Sequence, residues 1–123
     1  MNQKNFTQKS QEAIQAAQML SREYGNPQIE QAHLLYALLD QESGLIPQLV
    51  TSMGPDPASL KAAVKAELQR MPKVGGAGRE ADKVYISRDM DRALTRADEI
   101  AGEMKDEFLS VEHLFLGLID AAD

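Results

Sequence analysis

His33-Leu34-Leu35-Tyr36-Ala37-Leu38-Leu39-Asp40 and His113-Leu114-Phe115-Leu116-Gly117-Leu118-Ile119-Asp120 are two versions of one stretch, 80 residues apart. At that offset, with no gap, the match runs back through Ala17/Ala97 and Ala13/Ala93 to Thr7/Ser87. The apolar positions pair as well: Phe6/Ile86, Ile14/Leu94, Leu20/Ile100, Tyr24/Met104 and Ile29/Leu109. Identities are few, yet the pattern of sites expected to be buried is kept. A duplicated structural unit leaves that trace in a sequence.

Each copy reads as helices. Thr7 is placed to cap the first, in which Ala13, Ala17, Leu20 and Tyr24 share one face at spacings of three and four, until Gly25-Asn26-Pro27 stops it. Ile29 anchors the chain before a second helix over about 31–42, whose Leu34, Leu35, Leu38 and Leu39 form a wide core-facing stripe ended by Gly44. A short third helix turns Ile46, Leu49, Val50 and Met53 inward and stops at Gly54. Asp56-Pro57 starts a fourth, with Leu60, Val64 and Leu68 on its stripe and Pro72 beyond its end. The stretch 73–83, with Gly75, Gly76 and Gly78, reads as a linker. It lacks the Lys-Ser/Thr of a phosphate-binding loop. Ser87 caps a fifth helix that repeats the first through Met90, Ala93, Leu94, Ala97, Ile100, Ala101 and Met104. Ser110 caps a sixth that repeats the second.

No strand is expected, and the fold class is all-α. Two helical repeats, at about 6–71 and 86–123 with a linker at about 72–85, are expected to pack through their Leu-rich second helices around a pseudo-twofold axis. By internal symmetry the second repeat is expected to be incomplete, lacking about 25 residues that would match the third and fourth helices.

Composition narrows the function classes. The chain has 123 residues, no cysteine and a net charge of −6. Up to Arg70 seven acidic residues face six basic ones; from Met71 onward twelve face seven. With no Lys/Arg cluster and few aromatics, a nucleic-acid surface is disfavoured. No apolar run approaches the ~20 residues of a membrane span, and the polar N-terminus has no signal-peptide core. A cytoplasmic protein is expected.

Little points to catalysis. Glu30-x-x-His33 fits one ligand pair of a di-iron bundle, but Ser110 replaces the glutamate in the second copy, so no metal site is expected. Each histidine sits about three residues into its helix, where an imidazole can pack on the preceding turn and bond to a loop carbonyl. No nucleophile motif accompanies them. Asp98-Glu99 and Asp106-Glu107 are sequence neighbours, which do not face each other on a helix.

The duplicated unit, Phe6-Thr7 at its opening, Ile29-Glu30-x-x-His33-Leu34-x-x-Ala37-Leu38-Leu39, and the joint Arg70-Met71-Pro72-Lys73-Val74-x-Gly76 resemble the N-terminal Clp repeat domain of Clp-type AAA+ proteins. Within that family the joint is most similar to the ClpB-type disaggregases, and the resemblance covers the whole chain. It implies a mobile, non-enzymatic module that engages unfolded or aggregated polypeptides and passes them to an ATPase ring, expected to be hexameric. ATP and Mg would belong to the ring's ATPase modules; none is expected here. A co-chaperone or adaptor is a further implied partner. The alternative is an adaptor-binding domain of a ClpA/ClpC-type unfoldase, which would recognise a folded protein. Family residues tied to substrate binding match Thr7, Asp106 and Glu112, with Met90, Leu94 and Ile100 as candidate groove residues by position. Thr7 also reads as a cap, Asp106 as a turn former and Glu112 as a first-turn acid favoured by the helix dipole.

Overall fold

The computed structural model describes residues 5–41, 44–73 and 85–122. The expected linker at 72–85 lies outside them except for residues 72, 73 and 85. Six helices form: α1 (Gln8–Glu23), α2 (Gln31–Asp40), α3 (Leu45–Met53), α4 (Pro57–Arg70), α5 (Arg88–Glu103) and α6 (Val111–Ala121). The all-α reading holds, with one addition. Two-residue strands β1 (Asn5–Phe6) and β2 (Phe108–Leu109) pair in parallel, Asn5 opposite Phe108 and Phe6 opposite Leu109.

The helix starts follow from the capping residues. Thr7 Oγ1 accepts from Ser10 N at 3.2 Å, an Asp56 carboxylate oxygen from Ser59 N at 3.3 Å, and Ser87 Oγ from Met90 N at 3.0 Å. Each satisfies an amide that helix geometry leaves without a partner. Gly44 caps the start of α3 rather than the end of α2, which stops at Asp40.

The ends of α1 and α5 are copies of each other. Tyr24 N donates to Leu20 O, Gly25 N to Arg22 O and Asn26 N to Ser21 O. Eighty residues on, Met104 N donates to Ile100 O, Lys105 N to Gly102 O and Asp106 N to Ala101 O. This C-terminal motif needs a left-handed residue after the helix. Gly25 supplies it at φ 66°, and Lys105 is forced into it at φ 58°.

The pseudo-twofold relation is explicit in the backbone. Phe6 bridges Leu109, and their counterparts Ile86 and Ile29 bridge each other, also in parallel. Thr7 N donates to Leu109 O at 3.0 Å, and Ser87 N to Ile29 O at 3.1 Å. Each repeat thus lends the residue before its first helix to the anchor before the other repeat's second helix. Sequence periodicity cannot show such pairs, because each strand is only two residues long.

Helices α2 and α6 touch, and α6 also packs on α1, α3 and α5. Leu34, Leu38, Ile46, Leu68, Met90, Leu109 and Leu114 are fully buried. Small residues bring the paired helices together. A Cβ on Gly117 would lie 2.5 Å from Ala93 O and 3.0 Å from Ala97 Cβ.

Agreement fails at the edges of the core. Met53 and Met104, expected inward, are largely exposed, as is Ile86. Met53 ends α3, and Met104 is the C-cap of α5, so each stands where the helix is leaving its neighbour. Helix α4 covers α2, whereas the matching face of α6 is open among the described residues. Leu39 is accordingly 5% exposed and its counterpart Ile119 44%. No helix among the described residues is long and apolar enough to cross a membrane.

Candidate functional site

Three of the residues singled out in the sequence flank β1 or β2 along the chain. Thr7 follows β1, and its amide is held by Leu109 O while its side chain caps α1. Ser10, wholly buried beneath it, donates from Oγ to Leu109 O at 2.9 Å. Asp106 lies in the turn before β2, and Glu112 is exposed on the first turn of α6.

Asp106 is tied to α6 through His113. The Ser110 amide donates to His113 Nδ1 at 2.9 Å, completing a reciprocal cap in which Ser110 accepts from the His113 amide. With Nδ1 accepting, the ring hydrogen belongs on Nε2, which donates to Asp106 Oδ2 at 2.8 Å. The first repeat does the same with an amide. Glu30 N donates to His33 Nδ1 at 2.8 Å, and His33 Nε2 lies 2.8 Å from Asn26 Oδ1. Both histidines are buried struts between a turn and a helix start, and both ring nitrogens of each are engaged. The loop partner is a side chain seven residues upstream, not the main chain. Among the described residues no group of three or more acids and histidines is placed to hold a metal.

Beside these polar groups stands Phe108, 47% exposed although β2 is bonded into the fold. At the matching junction Tyr85 and Ile86 are about half exposed. The anchoring residue is Leu109, fully buried, and alternation along an extended segment turns its neighbour outward. That alternation is the signal that could have singled out Phe108. Met90, Leu94 and Ile100 lie on α5, which packs against β2, and are buried.

Two other surfaces carry apolar side chains. One is a groove of about 260 Å³ between α2, α3, α4 and α6, lined by Leu35, Val50, Met53, Leu60, Phe115 and Ile119 with almost no polar surface. The other lies on the outer side of α1 and α2.

The fold and sequence match known proteins. The family model described as the Clp repeat (R) N-terminal domain matches residues 5–123. The chaperone protein ClpB of Nitratidesulfovibrio vulgaris is 36% identical over 115 residues, covering 94% of this chain and 13% of that protein. ClpB of Clostridium tetani is 38% identical over 119 residues, covering 97% of this chain and 14% of that protein. The chain therefore spans about one seventh of these relatives. The crystal structure of the Hsp104 N-terminal domain from Candida albicans superposes with a TM-score of 0.85 at 22% identity, covering 96% of this chain and 75% of that one. With the duplicated helical unit and its exchanged backbone bridges, these matches show that the chain belongs to the Clp repeat N-terminal domain family.

Proposed function

We propose that the chain is the N-terminal substrate-engaging module of a ClpB-type, ATP-dependent protein disaggregase, and that it holds unfolded or aggregated polypeptide at the β1–β2 junction. The observation that carries the reading is Phe108, a half-exposed aromatic on a strand bonded into the fold, whose chain neighbours are Asp106 and Glu112 and whose partner strand runs into Thr7. An apolar side chain that is already ordered costs little entropy to use in binding. The surrounding oxygens can accept backbone N–H groups from a client that has not folded. Recognition of that kind is weak and tolerant of sequence, which suits a module that must release its client.

In this reading the module does no chemistry of its own. ATP and Mg act in the ATPase modules of a longer, cytoplasmic protein. Its hexameric ring receives the client, and a co-chaperone or adaptor can act on the same module.

The test is a pair of titrations with one protein in two states: α-lactalbumin reduced and carboxymethylated, and α-lactalbumin folded. The reading requires clear preference for the unfolded form. Preference for folded partners would instead support the adaptor-binding domain of a ClpA/ClpC-type unfoldase.

A further inference from the structure

The two repeats carry the same groove, between their first and second helices, but line it differently. In the second repeat the groove, lined by Asp91, Thr95, Arg96, Glu99 and Asp120 among others, holds a guanidinium of the chain's own. Arg96 donates from Nε to Asp120 Oδ2 at 2.9 Å, and from Nη1 to Glu99 Oε1 and Glu103 Oε2 at 3.2 Å each. Those bonds, that to Asp120 foremost, raise the pKa of the guanidinium above its ordinary value.

Moving back 80 residues gives Ala16 for Arg96, Met19 for Glu99, Glu23 for Glu103 and Asp40 for Asp120. Two of the three carboxylates are therefore kept and the arginine is gone. What remains is a groove of about 320 Å³ lined by Glu12, Ala16, Met19, Glu23, Tyr36 and Asp40 among others. Its floor is largely apolar, and Met19 is 62% exposed at its edge. Glu12 is held by Gln8 and lies 4.0 Å from Lys9. Asp40 Oδ1 accepts from Lys61 Nζ at 2.8 Å. The other Asp40 oxygen and the Glu23 carboxylate have no partner among the described residues.

We propose that the α1–α2 groove is a second docking site, separate from the β1–β2 junction, for a polypeptide segment carrying an arginine beside an apolar residue. The incoming guanidinium takes the place that Arg96 holds in the second repeat and bonds Glu23 and Asp40. The neighbouring apolar side chain lies against Met19 and Tyr36. Charge complementarity selects this occupant: the Glu23 and Asp40 carboxylates flank a largely apolar floor. Planar, bidentate bonding favours arginine over lysine. The argument comes from comparing the repeats and does not depend on what binds at Phe108.

The probe is the peptide acetyl-Ala-Leu-Arg-Leu-Ala-amide, with a second peptide carrying citrulline, a neutral isostere, in place of arginine. Binding is read from the ¹³C-methyl resonance of Met19 in the whole chain. The arginine peptide should shift this resonance, and the citrulline peptide should bind about tenfold more weakly, as expected for loss of charge-assisted hydrogen bonds. Ala16→Arg should place an internal cation on Glu23 and Asp40, as Arg96 does on Glu103 and Asp120, and abolish the shift. Glu23→Gln, on an exposed residue, should weaken binding several-fold and decides the matter if Ala16→Arg fails to fold. Equal binding of the two peptides, an unmoved Met19 resonance, or unchanged affinity in Glu23→Gln would overturn the proposal.

Discussion

Lys105 and Gly25 occupy the same place in the two repeats, and only glycine suits it. A non-glycine residue in left-handed conformation is strained by about 1–2 kcal/mol. Lys105→Gly should therefore raise stability by about 0.5–1 kcal/mol, after the extra unfolded-state freedom of glycine is subtracted. A urea unfolding midpoint above that of the parent chain is the expected result. Asp106 can be separated from its structural duty in a similar way, because the first repeat does the same job with Asn26. Asp106→Asn keeps an oxygen for His113 Nε2. It should change stability by less than about 0.5 kcal/mol, as is usual at partly exposed sites. If Asp106 also contacts the client, affinity for an unfolded protein should fall in the same variant. The caps at Thr7, Asp56, Ser87 and Ser110 were legible because a short polar residue before an apolar stripe has one economical use. The histidine partners were not, since a side chain seven positions upstream comes within reach only once the loop is built.

Helix pairing depends on residues that read as featureless. In the second repeat α5 meets α6 where Gly117 faces Ala93 and Ala97; in the first, the matching positions are Ala37, Ala13 and Ala17, all buried. The seam at Gly117 is closed by backbone atoms, which cannot turn aside. Gly117→Ala should thus be destabilising by about 1–2 kcal/mol through overpacking, despite alanine's better helix propensity. A lowered thermal midpoint with unchanged native helical circular dichroism would check it. The helices themselves were readable because their 3.6-residue periodicity is regular over nine or more residues. Reading failed at Met53 and Met104, where a stripe continues past the packing partner. It failed also at β1 and β2, since a two-residue strand whose partner lies about a hundred residues away has no local pattern.

At the scale of the molecule the duplication explains both the core and the surface. The symmetric interior binds the repeats together, and the departures from symmetry leave apolar side chains exposed at Phe108, at Met19 and on the open side of α6 around Ile119. Leu94, placed by sequence among the candidate groove residues, is 8% exposed. Leu94→Ser should cost about 3 kcal/mol, from lost apolar burial and a buried hydroxyl. Its thermal midpoint should drop accordingly, in contrast to changes at exposed Phe108. The duplicated core was visible in the sequence from one offset. The proposed junction was not, because it is made of cross-repeat bridges and of an outward-facing neighbour to a buried anchor. The central claim is that unfolded polypeptide is engaged at that junction. It is tested most directly by following backbone amide resonances of the whole chain while reduced, carboxymethylated α-lactalbumin is added. The account predicts that signals from Thr7, Asp106, Phe108 and Glu112 shift together and saturate. Unmoved signals at all four positions while the client is bound would contradict it.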